Sequence, residues 1–241
     1  MNTCILILAG GLGKRMKSDI PKVLHQLNKY SILGTLVNKI QENFTNDIFI
    51  VVGKYQEIIQ NKLKEELKSN QNKINYVFQK ESLGTGDALI CSIEQISKYD
   101  KVIILNGDGP LISTESIKIM IESNKNLLGI CNLETLSPTG SGRIIFKNNY
   151  VDRIIEEKDC SENEKKIKIV NGGLYCFNIK ELNKYIYLLN NNNKQQEYYI
   201  TDLISIFNNN NINIYPIYLK EKEIININTP EQLAIAKSII F

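Results

Sequence analysis

Glycines and basic residues stand close together near the start of the chain. Residues 8–22 follow an apolar run, 4–8, that is typical of a buried strand. Three glycines let the backbone turn sharply and approach a ligand closely, and successive N–H groups in such a loop form an anion-binding concavity. The segment therefore predicts a polyphosphate site. Its glycines and cations are Gly10, Gly11, Gly13, Lys14, Arg15, Lys17 and Lys22.

Two common phosphate-binding motifs do not fit this loop. A Walker A loop needs a glycine where Leu8 stands and a Ser or Thr where Arg15 stands. The dinucleotide fingerprint needs its third glycine at the position of Met16. A glycine-rich turn without a ligand is the ordinary alternative, but four cations beside three glycines favour phosphate.

Strands and helices alternate through the first half of the chain. This alternation predicts a parallel sheet with right-handed crossovers, in which ligands bind beyond the carboxyl ends of the strands. The glycine loop, Gln79 and Asp108 each follow a predicted strand directly. We therefore expect one shared site. The predicted strands are 4–8, 47–52, 74–78 and 101–105, and the predicted helices are 32–43, 55–68, 85–96 and 114–123.

The second half of the chain has a more mixed pattern. The final helix has Thr229 at its cap and Pro230 in its first turn. We expect one domain, divided softly near Asn132 into two halves, 1–132 and 133–241. The predicted elements are a strand at 127–133, a hairpin of 142–146 and 150–155, strands at 167–170 and 174–177, helices at 179–188 and 199–207, a strand at 212–219 and a helix at 229–239.

Two polar residues at strand ends carry specific chemistry. Asp108 follows a glycine after an apolar strand, and such a carboxylate can hold Mg2+ with few other protein ligands. The amide of Gln79 offers one acceptor and two donors, enough to recognise an edge of a base. A turn aspartate before Pro110 and an exposed strand-end glutamine are the ordinary alternatives.

Composition excludes several classes of protein. The 241 residues are 43% hydrophobic, which is enough for a core, and the net charge of +3 gives no reason to expect a nucleic-acid or membrane partner. Five scattered cysteines favour a reducing compartment over a disulfide framework. We expect a cytoplasmic monomer or small homo-oligomer that acts on small molecules. The single histidine, His25, forms no recognisable catalytic triad.

The opening segment resembles the signature of the sugar nucleotidyltransferases. It is most similar to the uridylyltransferase domain of bacterial N-acetylglucosamine-1-phosphate uridyltransferases. Further motifs follow in the order of that family, so the resemblance covers nearly the whole chain. They lie at residues 79–88, 106–112, 140–144, 156–159, 171–173, 197–202 and 226–229.

The resemblance implies an activity and a fold. The activity is Mg2+-dependent transfer of UMP from UTP to N-acetylglucosamine 1-phosphate, giving UDP-N-acetylglucosamine and pyrophosphate by direct in-line displacement. The fold is a Rossmann-like α/β domain, with a mostly parallel, mixed sheet flanked by helices. Another hexose 1-phosphate, another nucleotide such as dTTP, or a catalytically silent binding subunit are the alternatives.

The resemblance implies that 1–132 is the nucleotide half and 133–241 the sugar-facing half, and it also assigns roles to individual residues. Arg15 and Lys22 would act on phosphate, and Asp108 and Asn228 would hold the metal. The residues implied for the nucleotide are Leu8, Ala9, Gly10, Gly11, Gly13, Gln79, Gly84 and Thr85. Those implied for the sugar are Asn106, Gly142, Glu156, Asn171, Tyr199 and Thr201.

The chain departs from the family pattern at three positions near the sugar. Ser141, Asn106 and Gly172 are each smaller than the usual family residue, which predicts a roomier sugar pocket. The bifunctional relatives continue into a left-handed β-helix acetyltransferase domain. Because this chain ends at Phe241, we expect neither that activity nor the trimer that the β-helix builds.

Overall fold

A computed structural model describes residues 1–11, 13–16, 18–67, 74–134 and 136–240. Within these residues the strands form one nine-stranded sheet. The strands are β1 (Thr3–Leu8), β2 (Ile48–Val52), β3 (Ile74–Phe78), β4 (Lys101–Asn106), β5 (Leu127–Asn132), β6 (Arg143–Lys147), β7 (Tyr150–Ile155), β8 (Ile169–Asn178) and β9 (Tyr215–Tyr218).

Helices connect most of these strands. The α-helices are α1 (Ile32–Asn43), α2 (Gln56–Glu66), α3 (Thr85–Ile96), α4 (Thr114–Glu122), α5 (Ile179–Tyr185), α6 (Asp202–Asn209) and α7 (Pro230–Ile240). Short 3-10 helices lie at Lys14–Met16, Lys22–Leu24, Glu164–Lys166, Ile186–Leu188 and Glu221–Ile224.

The main path of the sheet runs in the order β3-β2-β1-β4-β8-β5-β9. Strands β1 to β4 are mutually parallel where they pair, and β8 runs antiparallel to both of its neighbours, β4 and β5. The hairpin of β6 and β7 joins the path through a single pairing, Arg143 with Val170. The carboxyl ends of β1, β3 and β4 therefore lie at one edge of the sheet. The first residues of β8 lie at the same edge, because β8 runs antiparallel to β4.

Helices cover both faces of the sheet. Along β1, Cys4 and Leu6 pack with residues of α3, α5 and α6, whereas Ile5 and Ile7 pack with residues of α1, α2 and α4. Side chains alternate across a strand, so a run that is apolar at every position must be buried on both faces. This confirms the predicted α/β class with a mostly parallel, mixed sheet flanked by helices.

Several predicted elements have different bounds in the structure. Strand β8 is one continuous ten-residue strand where two short strands were expected, although its pairing with β5 shifts register between Asn171 and Tyr175. Helix α6 begins at Asp202 rather than residue 199, and β9 is limited to Tyr215–Tyr218. Helix α2 ends at Glu66, and Lys68, the predicted helix end, lies outside the described residues.

The final helix begins as its sequence predicts. The Gln232 N–H donates to Thr229 Oγ1 at 3.3 Å, and Pro230 is the first helical residue. None of the helices in the described ranges has the length and apolarity needed to cross a bilayer. The division of the domain near Asn132 stays a prediction.

Gly173 fixes how β8 meets the end of β4. Its φ is 70°, and a Cβ at this position would lie 2.5 Å from Nδ2 of Asn106. Only glycine adopts such a φ without steric cost. The end of β4 is thereby held against β8 through a contact that a larger residue would displace.

We expect Gly173→Ala to destabilise the protein by roughly 2–4 kcal/mol, since backbone strain and overpacking add. Gly140→Ala is the matched control, because Gly140 has a φ of 85° but nothing within 4 Å of its added Cβ. The control should lose only about 1 kcal/mol. Denaturant unfolding of both variants measures the difference. Equal losses would show that the Asn106 contact imposes no constraint.

Candidate functional site

A cleft of about 310 Å3 opens at the carboxyl edge of the sheet. It brings together most of the residues predicted for nucleotide and metal, with Lys22 from the phosphate group and Asn106 from the sugar group. Those lining it are Leu8, Ala9, Gly10, Gly11, Lys22, Gln79, Gly84, Thr85, Asn106, Asp108 and Asn228. The lining also includes Val23, Ser82, Ala88, Glu197 and Asn226.

The glycine loop forms one wall of this cleft. The Ala9 N–H donates to Val51 O at 2.9 Å, which anchors the start of the loop to β2. Gly13 lies against Lys22, since a Cβ on Gly13 would come within 2.5 Å of Lys22 Cβ. Lys17 lies outside the described residues, and so does the side chain of Lys14.

Gln79 lies beside the glycine loop, directly after β3. Its backbone N–H donates to Val52 O at 2.8 Å, and its side-chain Nε2 donates to Gly84 O at 3.1 Å and to Asp87 Oδ2 at 2.7 Å. Gly84 precedes α3 with a φ of 111°, and any Cβ there would clash with Tyr198 O. The turn between Gln79 and α3 is therefore held tightly.

Thr85 connects this turn to the second half of the chain. Its Oγ1 accepts a hydrogen bond from the Ile200 N–H at 3.1 Å, so the hydroxyl does not cap α3. The Tyr198 N–H donates to Leu83 O at 2.8 Å, and the Gly86 N–H donates to Tyr198 O at 2.7 Å. These three bonds fix the segment around residues 197–201 beside the cleft.

Charged groups from three parts of the chain converge at the floor of the cleft. The Lys22 ammonium forms an ion pair with Asp108 and donates to Asn228 Oδ1 at 2.8 Å. The Arg15 guanidinium donates to the same Asn228 oxygen at 3.0 Å. The Ile227 N–H donates to Asp108 O at 2.8 Å, so the segment that carries Asn228 is fastened to the loop after β4.

The positions of Asp108, Asn228 and Lys22 bear on whether a divalent cation could bind here. A carboxylate and an amide oxygen, the hard donors that Mg2+ prefers, already converge on one cationic group, the Lys22 ammonium. Within the described residues no three His, Cys, Asp or Glu side chains cluster as metal ligands. A cation bound between Asp108 and Asn228 would complete its shell with water and ligand oxygens, so the donor set fits.

The residues predicted for the sugar form a second cluster. Asn171 N–H donates to Gly142 O at 2.9 Å, and Thr201 Oγ1 donates to Glu156 Oε1 at 2.9 Å. Asn171 also donates from Nδ2 to Tyr175 Oη at 2.7 Å and accepts from the Gly173 N–H at 3.0 Å. Because Gly173 touches Asn106, this cluster continues from the floor of the cleft.

Tyr199 lies beside this second cluster rather than in the cleft. It is buried, and its hydroxyl accepts a hydrogen bond from Gln195 Nε2. The roles predicted for all of these residues stay predictions. Asp87, Glu197 and Asn226 lie in the sequence motifs but had no predicted role. The structure places Glu197 and Asn226 in the lining of the cleft and bonds Asp87 to Gln79.

The expectation that Gly172 widens the sugar pocket is wrong. A Cβ on Gly172 would lie 2.5 Å from Leu219 Cδ1 and 2.9 Å from Gly129 O. Leu219 packs on the face of α1, α2 and α4, whereas Asn171 bonds to Tyr175 on the other face, so position 172 faces away from the side chain of Asn171. Gly172 instead permits close packing between β8 and β5.

The comparisons with known proteins agree with this architecture. The family model for nucleotidyl transferases matches residues 5–222. The chain belongs to the nucleotidyl transferase family. The cleft at the carboxyl edge is therefore the candidate active site of a nucleotidyl transferase.

Two relatives cover the whole family domain. A probable UDP-N-acetylglucosamine pyrophosphorylase from Acanthamoeba polyphaga mimivirus is 44% identical over 246 residues, covering 98% of this chain and 95% of that protein. A bifunctional protein GlmU from Clostridium botulinum is 38% identical over 244 residues, covering 100% of this chain and 52% of that protein. This nucleotidyl transferase thus spans about half the length of the bifunctional relatives that it matches.

Solved structures share the fold at lower identity. A UDP-glucose pyrophosphorylase complexed with UDP-glucose has a TM-score of 0.79 at 17% identity, covering 100% of this chain and 98% of that chain. A nucleoside-diphosphate-sugar pyrophosphorylase from Vibrio cholerae has a TM-score of 0.72 at 16% identity, covering 97% and 99%. At these identities the likeness establishes the fold alone.

Burial raises the pKa of Glu156 above its ordinary value. The hydrogen bond from Thr201 opposes this rise, whereas the charges of Asp202, Asp159 and Glu197 add to it. Between the unfolded and folded pKa values the folded state binds more protons than the unfolded chain. The free energy of unfolding therefore falls as pH rises through that interval, and above it the loss remains but no longer changes with pH.

We expect Glu156→Gln to gain stability relative to the wild type as pH rises from about 4 towards neutrality. The substitution removes the titrating group but keeps an Oε1 that can accept from Thr201. Denaturant unfolding at stepped pH measures the difference. Glu122→Gln, which removes an exposed carboxylate at the end of α4, is the control and should show a much flatter profile. A constant offset for Glu156→Gln would contradict the raised pKa.

Proposed function

We propose that the chain transfers UMP from UTP to N-acetylglucosamine 1-phosphate, giving UDP-N-acetylglucosamine and pyrophosphate. The observation that carries this proposal is the cleft itself, which joins an amide-lined end at Gln79 to a cationic end at Lys22 and Arg15. The 44% identity to the probable UDP-N-acetylglucosamine pyrophosphorylase supports the choice of products.

The two ends of the cleft suit the two ends of a nucleoside triphosphate. Gln79, the turn at Gly84 and the backbone of Ala9 and Gly10 recognise the base, and the rest of the glycine loop takes the phosphates. Lys22 and Arg15 neutralise phosphate charge, and the planar guanidinium of Arg15 suits contact with two phosphate oxygens. Phosphoryl and nucleotidyl transfer depend chiefly on such positioning and charge stabilisation.

The second cluster suits a sugar 1-phosphate. The Glu156 carboxylate accepts hydrogen bonds from sugar hydroxyls, and the Asn171 amide serves a hydroxyl or an acetamido group. Gly142, Tyr199, Thr201 and Asn106 complete this part of the site. The sugar phosphate is itself the nucleophile and attacks the α-phosphorus of UTP in line, so the protein needs no nucleophilic side chain of its own.

Mg2+ is the cofactor in this proposal, held by Asp108 and Asn228. When bound, it neutralises charge on phosphate oxygens during transfer. Lys22 contacts both of these oxygen ligands in the described structure, so it stands within reach of the same phosphates. Arg15 reaches the group from the glycine-loop side.

The decisive experiment measures pyrophosphate release from UTP with Mg2+ and three sugar phosphates. N-acetylglucosamine, glucose and N-acetylgalactosamine 1-phosphates are compared side by side. We expect release with the first alone. Release with several sugars would mean that Asn106 and Ser141 leave the pocket open to other hexoses. Absence of release with all three, in folded protein that still binds UTP, would overturn this proposal and favour either another sugar phosphate or a silent binding subunit.

We expect Asp108→Ala to lower turnover by at least about 100-fold while the protein stays folded. The substitution removes a half-buried oxygen ligand at the cleft, not a core side chain. Asp100→Ala is the matched control. Asp100 is exposed just before the opposite end of the same strand, and its carboxylate accepts a hydrogen bond from the Asn2 N–H rather than from a residue of the cleft. Wild-type turnover in Asp108→Ala would contradict the metal assignment.

A further inference from the structure

The orientation of the Gln79 amide is fixed by its surroundings. The residue is 4% exposed, so solvent does not satisfy the donors of its side chain. Nε2 donates both to Gly84 O at 3.1 Å and to Asp87 Oδ2 at 2.7 Å. Both partners are pure acceptors, and turning the amide over would set its oxygen against two other oxygens. Only one of the two amide orientations is therefore compatible with this site.

The fixed orientation leaves the amide oxygen for the ligand. Both Nε2 hydrogens are committed to the protein, and no donor within the described residues bonds to Oε1. Oε1 also stands beside the glycine loop, because a Cβ on Gly10 would lie 2.9 Å from it. Gly10 and Gln79 both line the cleft. The group presented to a base at this point is an acceptor without an accompanying donor.

We propose that Asp87 is a positioning residue that makes the site selective for bases with an imide N–H, by holding the Gln79 amide so that only its oxygen faces the base. This inference rests on the proposed UTP site. Uracil and thymine carry a donor at N3, whereas cytosine carries an acceptor there. Cytosine would set its N3 lone pair against Gln79 Oε1, and buried groups of like polarity left unpaired are strongly disfavoured.

Asp87 has one other structural role that the test must separate. It lies in the first turn of α3, where a negative charge stabilises the helix through its dipole. Asp87→Ala removes both the charge and the acceptor for Gln79. Asp87→Asn removes the charge but keeps an oxygen that can accept from Nε2. Glu115→Ala, which removes the first-turn acid of α4, is the control for losing a helix-terminal charge.

The experiment compares equilibrium binding of UTP and CTP to the full chain by calorimetry, and turnover with each nucleotide. We expect Asp87→Ala to lower the ratio of UTP to CTP affinity by about tenfold, the effect of one charge-assisted hydrogen bond. KM for UTP should rise with kcat unchanged, because base binding is equal in the ground and transition states. Asp87→Asn should restore most of the ratio, and Glu115→Ala should leave it unchanged.

A double-mutant cycle completes the test. In a Gln79→Ala background, Asp87→Ala should have no further effect on the ratio, since Asp87 acts through the amide. An unchanged ratio in Asp87→Ala, an Asn variant as impaired as the Ala variant, or wild-type protein that binds neither nucleotide would each overturn the inference. A ratio that depends on Asp87, without pyrophosphate release from any sugar phosphate, would refute the proposed transfer and leave the base selection standing.

Discussion

Parallel pairing at the centre of the sheet is the constraint on which the site depends. β1 pairs in parallel with both β2 and β4, and its register sets Leu8 opposite Asn106. The loops that follow β1 and β4 therefore leave the sheet at the same level, as does the turn after β3, where Val52 pairs with Phe78. Backbone hydrogen bonding between the strands is thus enough to place the glycine loop, Gln79 and Asp108 at one edge of the sheet, without any contact between their side chains.

Reversal of the chain at β8 adds the second half of the molecule to that edge. β8 is antiparallel to β4, so its first residues, not its last, stand beside the strand ends, with Leu174 opposite Leu105. Asn171 consequently meets the hairpin residue Gly142, while Gly173 touches Asn106. One inverted strand in an otherwise parallel core thus brings the second cluster, with the Glu156 carboxylate and the Asn171 amide, next to the cleft.

The sequence predicted the strands, their order in the chain and the strand-end residues well, because buried parallel strands and glycine loops leave strong local patterns. It could not predict which side chains of β8 point to which face of the sheet, because two short strands were expected there. Gly172 faces Leu219 because of how β8 pairs with β5, a long-range contact that the local sequence does not reveal. It also missed Asp87. An acidic residue in the first turn of a helix is already explained by the helix dipole, so the sequence gives no reason to look for a partner. Only the folded structure shows that Asp87 accepts a hydrogen bond from Gln79.

The position of β8 has a consequence for how the chain is made. Its partner β4 is apolar from Val102 to Leu105 and buried on both faces, yet one of its edges remains without hydrogen bonds until residues 169–178 have been synthesised. A long apolar strand with an open edge is a template for pairing with other chains. Nascent chains and fragments that stop before β8 are thus the aggregation-prone forms of this protein. The central sheet is complete only after β8, a strand from the second half of the chain, has been added.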